Sequence, residues 1–198
     1  MRRKRAPEAE AVTGPVSGDD RRDIEASLRG DERAYARIVE RYQGLIAAQM
    51  WRFSRDPVVV EELVQEAFVE CYIGLAKFRG QSPFLHWLRR IATRVGYRHW
   101  KVKARDRRKE DALAQEPRID VALPVNPAPA EAAVWLHKVL AQLPPEDRLV
   151  LTLHYFEDLD MNGIAERMGW TRTLAKVRAF RARKRLRALL EEAGYEQD

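Results

Sequence analysis

Apolar residues recur along this chain at steps of three and four, the period of an amphipathic α-helix. Asp23-Ile24-Glu25 and Leu28 suit a short helix ending at Gly30, and Asp31 is placed to cap the next one. There Tyr35, Ile38, Val39, Tyr42, Leu45 and Ile46 form one stripe. Asp56-Pro57 interrupts it, with Pro57 suited to a first helical turn, and Leu63, Val64, Ala67, Phe68, Tyr72 and Leu75 form a second stripe. Phe78-Arg79-Gly80-Gln81 reads as a loop, followed by Ser82 as a cap and Pro83 at the first helical position. Phe84, Leu88, Ile91 and Val95 then share a face. Helical spacing returns at Val134, Leu136, Val139, Leu140 and Leu143. Pro144-Pro145 ends that helix and opens another carrying Leu149, Val150, Leu151 and Leu153. No comparable stretch alternates with period two, so the expected fold class is all-α with no sheet.

Two segments break the pattern. Residues 1–20 are small, polar and charged, with Pro7, Gly14 and Pro15, and read as a disordered tail. Residues 109–130 read as a linker. Four of the ten prolines (Pro117, Pro124, Pro127 and Pro129) fall there, and Glu110 to Glu131 holds five acids against the single base Arg118. Such a stretch is too long for an ordinary connection inside a compact domain. The expected organisation is therefore a helical domain at 21–108 and a second at 131–193.

Charge sharpens this picture. The 198 residues carry 36 Lys/Arg and 30 Asp/Glu, a net +6, with 45% hydrophobic residues. His86 to Lys109 alone is +9 and Arg172 to Arg187 is +8, leaving the rest of the chain at −11. Two cationic strips on an acidic body point to a polyanion partner, with two solvated helix faces as the alternative. The one cysteine, Cys71, lies in an apolar stripe and reads as a small buried hydrophobe, which excludes a disulfide framework and a cysteine-rich zinc site. His86, His99, His137 and His154 lack metal-ligand spacing, and no Gly-rich phosphate loop or nucleophile motif appears. No cofactor, metal or catalytic residue is expected. MRRKR resembles the start of a signal peptide, but no apolar core follows it, and no run reaches the roughly 18 apolar residues of a membrane span. A soluble, cytoplasmic protein is expected.

The C-terminal strip carries the most chemistry. In DMNGIAERMGWTRTLAKVRAFRARKRLRALL, Ile164, Ala165 and Met168 face inward. Gly169 suits a left-handed turn and Thr171 can cap the next helix. Ala175, Ala179, Ala182 and Leu186 give that helix a narrow packing face. Arg172, Thr173, Lys176, Phe180, Arg181 and Lys184 lie opposite. This is the pattern of a helix-turn-helix whose second helix enters the major groove. Its bases reach base acceptors or phosphates, and Phe180 suits a thymine methyl or a sugar. A basic amphipathic helix in a bundle is the alternative. In the first strip, FLHWLRRIATRVGYRHWKVK, the residues Trp87, Arg90, Arg94, Tyr97, Arg98 and Lys101 share a face. Aromatics among bases suit single-stranded or opening DNA, although Trp87 and Trp100 fit a half-buried core as well.

Taken in order, VVEELVQEAFVECYIGLAKFRGQSPFLHWLRRIA, a linker, LPPEDRLVLTLHYFEDLDMNGIAERMGW and a basic helix resemble a bacterial RNA polymerase sigma factor. The likeness is to the small extracytoplasmic-function (ECF) group and runs from about Asp23 to Glu192. It implies a sigma-two-like helical bundle and a sigma-four-like helix-turn-helix joined by a flexible linker. It also implies core RNA polymerase (β′ clamp helices and β flap) and promoter DNA as partners. An anti-sigma factor covering both DNA-facing domains is a further partner it admits. Glu62, Leu63, Gln65 and Glu66 match the family's surface for the clamp helices. Phe78, Arg79, Gly80, Gln81 and Ser82 match the loop that captures a flipped −10 base. Trp87, Arg90 and Arg94 match the helix associated with strand opening. Lys176, Arg178, Phe180 and Arg181 match the −35 reading positions, with Arg183 and Arg185 on phosphates. Arg94 and Arg98 stand where relatives often have Asn or Asp, and Leu174 where Thr is common, so no promoter sequence is carried over. Two other functions fit parts of the pattern: a helix-turn-helix regulator that works without polymerase, and a nucleic-acid enzyme.

Overall fold

The computed structural model describes residues 16–113 and 128–193. Among them are eight α-helices and one short 3-10 turn, with no strand. Packing divides the chain into two compact units, Met1–Gly96 and Tyr97–Asp198, the division falling inside a single long helix.

The first unit begins with α1 (Gly18–Leu28) and α2 (Glu32–Met50). Helix α1 starts earlier than the Asp23 signal suggests, because the Ser17 side chain accepts from the Asp20 backbone N–H. The expected tail therefore ends before Gly18, and its residues 1–15 lie outside the described part. Asp31 caps α2 by accepting from the N–H groups of Arg33 and Ala34. An ionic web with buried carboxylates and partly exposed arginines fastens α1 to α2. Arg37 donates twice to Asp23, Arg41 bridges Asp20 and Asp23 at 2.6 Å each, and the Tyr42 hydroxyl donates to Asp20. Burial works against the charge on Asp23, but Arg41 and Arg37 outweigh it and hold the carboxyl below its ordinary value.

Helix α3 (Pro57–Gly74) opens on the Asp56 cap with Pro57 in its first turn. The 3-10 turn Leu75–Lys77 follows, then α4 (Phe84–Leu113). The core joins Ile38, Ile46, Met50, Phe53, Leu63, Phe68, Leu88 and Val95. Leu45 and Tyr72, expected in the stripes, are instead partly exposed. The buried Gln49 amide nitrogen donates to Thr93 Oγ1 and the Arg89 carbonyl, linking α2 to α4, while its Oε1 has no partner among the described residues. Gly96 lies against the Phe53 ring where a Cβ has no room. Helix α4 runs on through Leu113, so the expected linker begins later than residue 109. Residues 114–127 lie outside the described part.

In the second unit, α5 (Pro129–Leu140), α6 (Pro145–Tyr155), α7 (Met161–Met168) and α8 (Arg172–Glu192) gather around Leu149, Val150, Leu151, Leu153 and Ile164. Ala175, Ala179 and Ala182 of α8 are fully enclosed, which lets its backbone approach α6 and α7 closely. Arg167 pairs with the buried Glu157 carboxylate, tying α7 to the loop before it.

Candidate nucleic-acid interface

Local chemistry shapes the helix-turn-helix. Asp160 accepts from the Gly163 N–H at 2.8 Å, so the poor helix formers Asn162 and Gly163 sit inside a capped first turn. Gly169 takes φ 67°, the left-handed turn conformation, and the Trp170 N–H returns to the Ala165 carbonyl. Thr171 Oγ1 accepts from the Leu174 N–H and starts α8. With the alanine face inward, Arg172, Thr173, Lys176, Phe180, Arg181, Arg183 and Lys184 are exposed. Phe180 is 66% exposed, an aromatic ring among cations with no core to fill. Leu174 and Val177 share this open surface, which the alternation of bases in the sequence obscures.

Two residues predicted for this surface are engaged within the second unit. The Arg178 guanidinium stacks over the Trp170 ring at 4.2 Å. Arg185 forms an ion pair with Asp147, whose side chain is buried, so its predicted hold on a phosphate meets a competing partner. Both pairings join residues that the linear sequence separates.

In the first unit, Gly80 is also left-handed at φ 67°, and Arg79, Gly80 and Gln81 are exposed, with Ser82 half-buried. The aromatics around them are packed. Phe78 meets Phe84 at 5.3 Å and Trp87 at 5.2 Å, and Phe84 meets Trp87 at 5.6 Å. Trp87 is thus half-buried against the loop, as the half-buried-core alternative expects. Along α4, Arg94, Arg98 and Lys101 are exposed, while Arg90 and Tyr97 are half-buried.

Within the second unit, the start of α6 meets the end of this strip. The Tyr97 hydroxyl donates to Glu146 Oε1 at 2.8 Å. Burial and that carboxylate together push the phenol up. For Glu146, burial opposes ionisation, but Tyr97, the residue's own backbone N–H, Arg178 and Lys101 outweigh it and hold the carboxyl below its ordinary value. Trp100 is buried, and the Arg148 guanidinium lies 3.9 Å from its ring centroid. Burial, with Arg107 nearby, pushes Arg148 down to about 9, so it stays charged at neutral pH.

On α3, Glu62, Gln65 and Glu66, the residues expected for a polymerase face, are exposed. Leu63 is not: it is buried in the first unit's core, because its place in the apolar stripe turns it inward. Val69 and Ile73 are exposed on the same helix, although their apolar character in the sequence reads as core. Among the described residues, no group of three or more His, Cys, Asp or Glu could hold a metal ion, and no helix is long and apolar enough to cross a membrane.

Comparison with known proteins places these units. Sigma-70 region 2 matches residues 38–106, and the Sigma-70 region 4 pattern matches residues 133–186. RNA polymerase sigma-H factor of Pseudomonas aeruginosa is 34% identical over 187 residues, spanning 88% of this chain and 97% of that protein. The ECF RNA polymerase sigma-E factor of Haemophilus influenzae is 30% identical over 171 residues, spanning 81% of this chain and 89% of that protein. Among solved structures, CnrH in complex with the cytosolic domain of CnrY is similar with a TM-score of 0.54 and 26% identity, covering 87% of this chain and 97% of CnrH. With relatives at 30% identity or more matched over most of both chains, and both sigma-70 region models matching, the chain belongs to the ECF group of bacterial RNA polymerase sigma factors.

Proposed function

We propose that this sigma factor divides promoter recognition between residues 21–108 and 131–193, joined by a linker within 109–130. It binds core RNA polymerase, directs it to specific promoters and promotes initiation. No catalytic chemistry of its own is assigned to it, and its place of work is the cytoplasm, where polymerase and DNA meet. Arg172, Thr173, Lys176, Phe180 and Arg181 read the −35 element, with Arg183 and Lys184 on flanking phosphates. Arg79, Gly80, Gln81 and Ser82 form the rim for a −10 base, backed by Phe78 and Trp87. Arg90, Arg94, Tyr97, Arg98 and Lys101 hold the opening strands. Glu62, Gln65 and Glu66 face the β′ clamp helices, and the second unit meets the β flap. RpoE of Bartonella quintana is solved in complex with the anti-sigma factor NepR, which supports an anti-sigma partner here too.

The observation that carries this reading is the exposed cationic face of α8 held on a capped, glycine-turned helix pair. A regulator acting without polymerase would share that face but would not need the acidic face of α3. Glu66→Lys separates the two. Co-purification with core polymerase should fall at least about tenfold with the helical content unchanged, since the lysine would face a basic partner surface and like charges across an interface repel. Unchanged co-purification would remove α3 from the polymerase interface.

A further inference from the structure

Three residues predicted above for DNA bear on one acid inside the second unit. Tyr97 donates to Glu146 at 2.8 Å. Lys101 lies 5.6 Å above the Tyr97 ring, and its charge acts on Glu146. The charge of Arg178, from the recognition helix, favours the ionised forms of both Glu146 and Tyr97. A carboxylate that accepts from a phenol and is held ionised by an ammonium and a guanidinium does what a DNA phosphate would do in the same place. Glu146 sits in the first turn of α6, after Pro144-Pro145, so its backbone has little freedom. Arg148, two residues on, is stacked on buried Trp100 and bonded to the His137 ring at 2.9 Å, which pins this turn against α4.

We propose that Glu146 is an internal phosphate mimic: it occupies Tyr97, Lys101 and Arg178 in the free chain and must be displaced before they engage DNA. This regulates the DNA surface proposed above and rests on that reading. The device weakens binding by the free protein at any sequence, because it competes for backbone-binding groups and leaves the exposed base-reading residues of α8 alone.

The test uses the full-length chain without polymerase and a fluorescein-labelled duplex with a single-stranded tail. Anisotropy gives affinity across a salt series. Glu146→Gln should tighten binding about tenfold, the scale of one charged hydrogen bond. It should also steepen the salt dependence by about one released counterion, since the freed cations then meet phosphates. Glu192→Gln, which removes one exposed charge elsewhere, sets the effect of net charge alone. Adding Lys101→Ala and Arg178→Ala to Glu146→Gln should abolish the gain. A gain that merely equals that of Glu192→Gln, or that survives loss of both cations, overturns the proposal. No gain from Glu146→Gln, with Lys101→Ala and Arg178→Ala each weakening wild-type binding, overturns the mimic and leaves the DNA surface standing. No effect of either cation variant in either background defeats the DNA assignment of these residues and the mimic with it. Circular dichroism melting checks the fold. Should Glu146→Gln melt early, Glu146→Asp keeps an acid at the helix start but falls short of Tyr97, and a smaller gain in the same direction is expected.

Discussion

Gly96→Ala offers a direct reading of how α4 is seated. A Cβ at Gly96 would overlap Cγ and Cδ1 of Phe53 and lie 2.6 Å from Cδ2. Ordinary carbon contacts need roughly 3.5–4.0 Å, so the ring or the helix must shift by about 1 Å. The ring cannot swing away. Phe53 is 2% exposed, and the atoms in the way are the near edge of the ring rather than a flexible end. Overpacking of this kind costs about 1–3 kcal/mol, and with three ring atoms involved the upper part of that range applies. Alanine in a helix returns roughly 1 kcal/mol over glycine. The net expectation is a loss of about 2 kcal/mol. Chemical denaturation followed by circular dichroism measures it, and hydrogen exchange should place the loss in α2 and α4. Phe53→Leu makes room, so the double variant should be at least about 1 kcal/mol more stable than the two single losses summed. A stabilised Gly96→Ala, or strictly additive effects, would refute the close packing.

Other predictions concern the ionic web and the recognition helix. Asp23→Asn should loosen α1 from α2 by about 1–3 kcal/mol at neutral pH, toward the low end because Arg37 is half exposed. The folded-state pKa of Asp23 is depressed, so its contribution is complete above the ordinary value of 3.8 and disappears as pH falls through the lower folded value. Wild-type and variant stabilities should therefore converge in acid, and a constant gap across that range would contradict the assignment. Lys176→Ala and Arg181→Ala should each cost about 1–3 kcal/mol of upstream-element binding by the holoenzyme if the contact is bidentate to a base, read by competition between cognate and scrambled −35 sequences. Equal losses on both sequences would reduce the residue to a phosphate contact.

What the sequence disclosed follows the range of the chemistry involved. Caps and turns are settled by neighbours, so Asp31, Pro57, Gly169 and Thr171 were readable and all act as their residue types dictate. Ser17 is a cap of the same kind, hidden at the edge of a polar tail. The alanine face of α8 was readable because period and residue size agree. Pairings between distant segments were not. Nothing near Gly96 marks it as the seat of Phe53, and nothing near Arg185 points to Asp147. Trp100 was legible as an aromatic in a basic strip, but its burial beneath Arg148 depends on a helix that begins beyond the linker. Leu63 lies between exposed Glu62 and the exposed Gln65-Glu66 pair, so a motif match drew it to the surface while helix geometry turns it inward. Charge alone likewise overstated what α8 offers to DNA, because Arg178 and Arg185 each have a partner within the second unit.

Run-off transcription from a promoter library, with core RNA polymerase and the purified chain, bears most directly on the function. Discrete transcripts should appear only when the chain is present, share upstream and −10 elements at fixed spacing, and vanish with Glu66→Lys. Core polymerase that starts at the same sites without the chain, or never starts at discrete sites with it, would contradict the assignment.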